Sequence, residues 1–195
     1  MRGACIITGL CAFVLFVIYD VNSVRLRLRL LKPAFFLGFF LLVIATVMMF
    51  AVGWNGEESG RVRQVVLLAL SGVFLALLIY TLFFALPFED TYIREEGRPR
   101  VYSEGMYALC RHPGVLWFIG MYACFALAMP TAPMVWGGTI FGVCNVLYVI
   151  MQDMWTFPNY FRDYNRYKQE VPFLIPTVKS GKRCIRTIAA GKKHV

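Results

Sequence analysis

Five long apolar stretches, separated by short polar segments, dominate the pattern along the chain. They lie at roughly 4–19, 34–54, 64–88, 115–129 and 134–151. Each is long enough, or nearly long enough, to cross the apolar core of a bilayer, which takes about 20 helical residues. The pattern therefore predicts an all-α, polytopic membrane protein with about five transmembrane helices.

The last two stretches are short and are joined by Pro130-Thr131-Ala132-Pro133. Proline interrupts a helix interior but is tolerated in a first helical turn. So tight a connection leaves room only for two antiparallel helices. The sequence thus predicts a short helical hairpin, followed by a C-terminal helical segment.

Basic residues predict how the chain is oriented. The sequence is 59% hydrophobic with a formal net charge of +9, and in so apolar a chain excess Lys and Arg indicates orientation and anionic lipid contact. The sequence does not resemble a nucleic-acid-binding module, so we expect no nucleic-acid partner. Segments 20–33, 89–114 and the part after 151 hold 17 of the 20 Lys and Arg residues. We therefore expect the N-terminus outside and the C-terminus in the cytoplasm.

The first apolar stretch and the six cysteines each allow a second interpretation. The stretch after Arg2 resembles a signal peptide, but no small-x-small cleavage site precedes the basic VNSVRLRLRLLK. A retained first helix is therefore favoured.

The six cysteines are scattered without a C-x-x-C pair, so we expect buried apolar thiols and neither a metal site nor a disulfide framework.

Polar residues divide the chain into three parts. Residues 1–88 form three predicted membrane helices, and residues 179–195 form a basic tail that we expect to be mobile near anionic headgroups. The part between them, residues 89–178, holds the polar segments 89–114 and 152–178 on either side of the hairpin. The hairpin should bring these segments together, so function is expected there.

The turn Arg111-His112-Pro113 is a candidate anion site. Proline suits the first position of a helix, which would place His112 at the helix start. Free backbone N–H groups there attract an anion, and Arg111 adds a charge suited to a carboxylate or phosphate. The alternative is an interfacial arginine beside a histidine with satisfied hydrogen bonds.

Two features follow the fifth apolar stretch. Asp153 lies at the membrane boundary, where an ionisable side chain is costly unless it is paired. Tyr160, Tyr164 and Tyr167 have helical spacing, which predicts that they lie on one helix face. An interfacial aromatic belt explains such a stripe as well as a ligand wall does.

Together these segments resemble a known family. GMYALCRHPGVLWF, at 105–118, is similar to the glycine-x-tyrosine and arginine-histidine-proline signature of the isoprenylcysteine carboxyl methyltransferase family, which extends to phospholipid N-methyltransferase-like membrane enzymes. The rest of that signature is an acidic pair and a Y-x-x-Y-x-x-x-V-P-x-x-x-P ending. It aligns with Gln152-Asp153, Tyr164-Asn165-Arg166-Tyr167, Val171-Pro172 and Pro176, so the likeness covers about residues 101–178.

The resemblance implies a membrane methyltransferase that binds S-adenosylmethionine on the cytoplasmic side and takes a lipophilic or lipidated substrate from the bilayer. His112 and Asp153 would be the catalytic candidates if an amine acceptor has to lose a proton. The implied cofactor site comprises Gly105, Tyr107, Arg111, His112, Pro113, Trp117, Gln152, Asp153, Tyr164 and Tyr167. In it Arg111 and His112 would bind the cofactor's carboxylate, Asp153 its ammonium, and the aromatic residues its adenine.

Two features of the sequence leave alternatives open. Gln152 stands where the family usually has a glutamate, and the stretch 134–151 lacks a cation that could bind a prenylcysteine carboxylate. An isoprenylcysteine acceptor is therefore disfavoured. The alternatives are a membrane reductase similar to the sterol reductases, which uses NADPH, and a non-enzymatic membrane component acting in transport, partner binding or assembly.

Overall fold

The computed structural model describes residues 2–53, 60–85 and 99–191, and within these ranges the regular structure is entirely helical. The predicted all-α class is thus confirmed for the described residues. The helices are α1 (Arg2–Val21), α2 (Ala34–Gly53), α3 (Arg61–Ile79), α4 (Met106–Leu109), α5 (Pro113–Ala128), α6 (Ala132–Met151), α7 (Phe157–Tyr160), α8 (Tyr164–Glu170) and α9 (Val178–Gly191). Four predicted features extend beyond the described residues. They are the end of the second span at 54, the end of the third span at 86–88, the first part of the polar segment at 89–98, and the end of the basic tail at 192–195.

Within the described residues, four helical stretches are long and apolar enough to cross a bilayer. They are Gly3–Leu26, Arg29–Val52, Arg61–Phe84 and Ala132–Tyr160. The fourth predicted span, 115–129, corresponds to α5, which has only 16 residues and is about 24 Å long at the usual helical rise. The count therefore becomes four long helices and one short apolar helix. Pro113 begins α5 and the Met129–Thr131 connection ends it.

Large apolar side chains cover the outer surfaces of the long helices. Exposed examples on α1, α2, α3 and α6 are Ile7, Val14, Phe36, Phe40, Val47, Val62, Val65, Trp136, Val143 and Leu147. So wide an apolar surface is unusual on a soluble protein and is typical of helices that contact lipid.

The core between the helices is rich in aromatic residues. Phe13 of α1 lies edge-on to Phe118 of α5, with ring centroids 6.4 Å apart, and Phe141 of α6 contacts both Phe13 and Tyr122. The Tyr122 hydroxyl lies 2.6 Å from Thr46 Oγ1 of α2. These contacts fix α1, α2, α5 and α6 around one core.

The predicted hairpin is confirmed, because α5 packs against α6. The short Met129–Thr131 connection separates α5 from α6, and Pro133 lies in the first turn of α6. Small residues of α6 let its neighbours approach closely: Gly138 faces Tyr122 of α5, and Gly137 faces Met49 of α2. Gly137 and Gly138 therefore both contribute to helix packing within the chain.

The C-terminal region differs from the prediction. Residues expected to form a mobile basic tail form the helix α9 up to Gly191. Ser180 and Cys184 are buried on one face of α9, and the Thr187 hydroxyl accepts a hydrogen bond from Gly105 N at 3.0 Å. Small residues on one helical face, which charge composition does not reveal, let α9 pack beside α4.

A substitution at Gly38 tests the packing of α1 on α2. A Cβ at this position would lie 2.9 Å from the backbone oxygen of Ala12 and 2.9 Å from Phe16 Cε1. A helical backbone oxygen cannot rotate away as a side chain can. Gly38→Ala should lower the free energy of unfolding by about 1–3 kcal/mol, the usual cost of overpacking, measured by thermal denaturation in detergent.

Gly72→Ala is the matched control, because a Cβ there meets no described atom within 4 Å. Alanine is favoured over glycine in a helix by about 1 kcal/mol, so this variant should be at least as stable as the parent. Equal unfolding midpoints for the parent and Gly38→Ala would contradict the close approach of α1 and α2.

Candidate functional site

The two polar segments that flank the hairpin meet at the carboxylate of Asp153. Arg111 Nε lies 3.0 Å from Asp153 Oδ1, and His112 Nε2 lies 3.5 Å from the same oxygen. From the other segment, the Tyr164 hydroxyl donates to Oδ1 at 2.7 Å. Asp153 is 6% exposed, so side chains distant in sequence surround one buried acid. We call Arg111, His112, Asp153, Tyr164 and Lys168 the Asp153 cluster.

Lys168 is a member of this cluster that the sequence prediction missed. Its Nζ lies 2.9 Å from Asp153 Oδ2 and donates to the Asp153 backbone oxygen at 3.0 Å. In return, its own backbone oxygen accepts from Arg111 Nη1 at 3.0 Å. Helical spacing in the sequence could have identified Lys168, because it lies four residues after Tyr164 on α8.

Local backbone structure positions the Arg111 turn. Pro113 begins α5, as predicted, and His112 occupies the position before it without capping the helix through its side chain. The Arg111 N–H donates to Pro172 O at 2.9 Å, so the first half of the Val-Pro ending is joined to the arginine-histidine turn by a backbone hydrogen bond. Gly105 has φ +56°, a left-handed conformation that glycine adopts without strain.

Aromatic rings enclose the imidazole of His112. The ring stacks on Phe157, with centroids 5.7 Å apart, and lies edge-on to Phe173 at 5.2 Å. Burial lowers the pKa of His112 below its ordinary value, and the charges of Arg111 and Lys168 act in the same direction, whereas Asp153 opposes them only in part. We therefore expect a neutral imidazole at neutral pH.

The cluster carries an excess of positive charge. Arg111 and Lys168 are cations, Asp153 is the acid that pairs with both, and neutral His112 adds nothing, which leaves a net charge of +1. Arg111 Nε and His112 Nε2 are buried and make no well-aligned hydrogen bond to a described residue. Buried polar atoms without a well-aligned hydrogen bond are costly. A carboxylate ligand would supply both the negative charge and the missing acceptors.

The tyrosines are held by their hydroxyl groups. Tyr164 donates to Asp153, and the Tyr167 hydroxyl donates to the backbone oxygen of Tyr107 at 2.7 Å. Burial raises the pKa of both phenols, so both are protonated at neutral pH. The predicted three-tyrosine stripe is wrong for Tyr160, because an extended residue at Phe161 ends α7 before α8 begins.

Two predicted site residues lie in a neighbouring cluster. The Tyr107 hydroxyl donates to Thr81 O at 3.0 Å, and Trp117 Nε1 donates to Thr81 Oγ1 at 3.1 Å. Both side chains therefore join the end of the third long helix to the α4 and α5 region. Among the described residues, Tyr107 is linked to α8 of the Asp153 cluster through its backbone oxygen, which accepts the hydrogen bond from Tyr167.

Gln152 faces a different partner from its neighbour Asp153. The two residues begin a turn of π-helix, Gln152–Thr156, a local widening that often occurs at functional positions. Gln152 Nε2 donates to Asp20 Oδ2 at 2.9 Å and to the Tyr148 hydroxyl at 2.9 Å. Sequence reasoning missed Asp20, which is 132 residues from its partner and lies at the end of an otherwise apolar helix.

In the described part of the chain, side chains that commonly bind metals do not form a cluster comparable to the Asp153 cluster. Within the described ranges, no group of three or more His, Cys, Asp and Glu residues is placed to hold a metal ion. Cys110, beside the arginine-histidine turn, is a buried free thiol. Burial raises its pKa to about 11, so it stays protonated at neutral pH.

The chain was also compared with known proteins. No protein-family model matches it, and neither a curated protein nor a solved structure shows significant similarity to it. The methyltransferase likeness therefore stays a prediction that rests on the two sequence blocks.

Proposed function

We propose that this protein transfers a methyl group from S-adenosylmethionine to a lipophilic or membrane-associated acceptor. The observation that carries the proposal is the convergence of the two family-like sequence blocks on Asp153. Arg111 and His112 come from the first block, and Asp153 and Tyr164 come from the second. Residues retained only as separate anchors at the membrane surface would not need this shared, buried contact.

The Asp153 cluster suits the amino-acid end of the cofactor. That end carries a carboxylate and an ammonium group. Arg111 and Lys168 provide cations for the carboxylate, and Arg111 Nε and His112 Nε2, which face Asp153 Oδ1 without a well-aligned hydrogen bond, are further contacts. Asp153 is an acceptor for the ammonium group. The side chain of Lys168, 31% exposed against 10% for Arg111, is the partner of Asp153 that can most readily move aside.

When bound, S-adenosylmethionine supplies an electrophilic methyl group on sulfur. Transfer of such a group needs an aligned nucleophile and exclusion of water more than it needs an acid or a metal. The aromatic rings of Phe157, Phe173 and Tyr164 exclude water around the cluster. Neutral His112 is our candidate to accept a proton if the acceptor has to lose one.

The membrane arrangement accords with a lipophilic acceptor. The cluster lies at one end of the long helix Ala132–Tyr160, beside the basic segments that we assign to the cytoplasmic side. A substrate embedded in that leaflet reaches the cluster without leaving the bilayer. If α5 crosses together with the four long helices, the termini lie on opposite sides, with the N-terminus outside.

Equilibrium binding of S-adenosylmethionine to the detergent-purified chain tests this proposal. Lys168→Gln should weaken binding about tenfold or more, because a hydrogen bond to a charged group contributes about 1.5–3 kcal/mol. Arg166→Gln is the matched control, since Arg166 is on the same helix but its side chain is 84% exposed and its one ion pair within the described residues is with Glu170. The control should bind within about twofold of the parent.

Three outcomes would contradict the proposal. The first is absence of cofactor binding by the folded parent chain. The second is equal weakening by Lys168→Gln and Arg166→Gln. The third is saturable binding of NADPH without binding of S-adenosylmethionine, which would favour the reductase alternative.

We further infer that α9 lies on the membrane surface and contacts anionic lipid. Its exposed residues form two adjacent faces. One is apolar, with Val178 80% and Ile185 71% exposed, and the other carries the exposed Lys179, Lys182 and Arg186. A helix with these two faces lies in the interface and binds anionic headgroups.

Site-resolved thiol labelling tests the position of α9. In a reconstituted Ile185→Cys variant, an impermeant thiol reagent should react at least about threefold more slowly in bilayers containing anionic lipid than in purely zwitterionic bilayers, because the apolar face then inserts. Arg166→Cys is the control, because the Arg166 side chain is 84% exposed on α8, and it should show no such dependence. Equal labelling rates at residue 185 in both bilayers would exclude surface binding of α9.

A further inference from the structure

The connection between α1 and α2 carries a surface that the proposed function does not use. Residues 22–33 include no acidic residue, and their exposed side chains alternate between basic and apolar. The exposed cations are Arg25, Arg27, Arg29 and Lys32, and the exposed leucines between them are Leu26, Leu28 and Leu30. We call residues 22–33 the basic loop.

The backbone of the basic loop is fixed by the buried side chain of Asn22. Its Nδ2 donates to Leu28 O at 3.0 Å, and its Oδ1 accepts from Leu28 N at 2.8 Å. The Asn22 backbone oxygen also accepts from Arg27 N at 2.8 Å. Arg27 has φ +55°, a conformation that is uncommon for residues other than glycine and that persists where surrounding contacts fix it. The loop therefore presents its side chains from a defined turn.

Neighbouring residues indicate that the basic loop lies at the level of the lipid headgroups. Tyr19 of α1 contacts Phe35 of α2, with ring centroids 5.5 Å apart, and aromatic side chains gather at the boundary between acyl chains and headgroups. Asp20, at the same end of α1, accepts a hydrogen bond from Gln152. The basic loop is therefore on the membrane side that holds the Asp153 cluster.

The charge of the basic loop favours an anionic partner. Within the described ranges no acidic side chain forms an ion pair with its cations, whereas Asp153 and Glu170 pair with cations of other segments. Arginine matches a phosphate group in charge and in hydrogen-bond geometry. A cluster of basic residues directly beside a membrane helix is typical of contact with anionic lipid. The phosphate of a lipid and free phosphate share this chemistry.

The leucines of the basic loop favour lipid over free phosphate. Leu26 is 51% exposed, Leu28 is 52% exposed and Leu30 is 86% exposed. Apolar side chains of this size are unfavourable in water and favourable at the boundary between headgroups and acyl chains. Free phosphate offers them no contact, whereas a phospholipid supplies a phosphate for the arginines and acyl chains for the leucines.

We propose that the basic loop is a docking site for anionic phospholipid. Its arginines contact the phosphates, and its leucines enter the bilayer among the first acyl carbons. This site is separate from the surface of α9 and does not depend on methyl transfer. Because the loop begins two residues after Asp20, bound lipid anchors the end of α1 on the side of the Asp153 cluster.

Quenching by brominated lipid tests the site locally. A fluorophore is attached at Leu30→Cys in the whole chain, and labelled parent chain corrects for the native cysteines. The bilayer is equimolar phosphatidylglycerol and phosphatidylcholine, with one of the two brominated near the headgroup. Quenching should be about twofold stronger or more when phosphatidylglycerol carries the bromine, because the cations attract anionic lipid. Arg25→Gln/Arg27→Gln/Arg29→Gln should make the two lipids quench equally.

Lys179→Gln/Lys182→Gln/Arg186→Gln is the matched control, because it removes the same number of exposed charges from α9. It should leave the lipid preference at residue 30 unchanged. The loop variant should keep the unfolding midpoint of the parent in detergent, since its three arginine side chains pair with no acidic side chain of the described residues. A lost preference in a folded loop variant then reports lost lipid contact.

Equal quenching by the two brominated lipids in the parent would overturn the docking site. Equal loss of the preference in both triple variants would also overturn it, because only the general surface potential would then remain. Inorganic phosphate is added last, against sodium chloride of equal ionic strength, and should not change the preference. Its abolition by phosphate alone would assign the loop to free phosphate and overturn the lipid proposal.

Discussion

The polar half of this structure depends on the pairing of Asp153 with two cations. A carboxylate buried at the end of a membrane helix costs several kcal/mol unless its charge is compensated. Arg111 and Lys168 provide this compensation, and Tyr164 adds a hydrogen bond. Because these partners come from segments on either side of the hairpin, the pairing that stabilises the acid also assembles the candidate site.

The turn of π-helix at Gln152–Thr156 directs neighbouring side chains to different partners. Consecutive side chains of this turn face different partners, so Asp153 faces the cationic cluster and Gln152 faces Asp20. One turn thus separates a carboxylate paired with two cations from a buried carboxylate that is hydrogen-bonded to the neutral Gln152 and Thr156. The excess positive charge beside Asp153 is the electrostatic basis for binding a carboxylate there.

Local patterns in the sequence predicted the helices and part of the site, because they reflect short-range rules. Apolar runs predicted α1, α2, α3 and α6, and proline predicted the start of α5. The long-range partners were missed: Asp20 approaches Gln152 only through the packing of α1 on α6. Tyr160 was assigned to one helix with Tyr164 because periodicity alone does not reveal the break at Phe161.

Hydrogen exchange in an Asp153→Ala variant tests most directly whether this residue holds the two segments together. Removal of one partner from a buried ion pair costs about 3–5 kcal/mol, so backbone amides of residues 101–112 and 164–172 should lose protection together, while α2 stays protected. Loss of protection in only one segment, or in neither, would contradict the central role of Asp153.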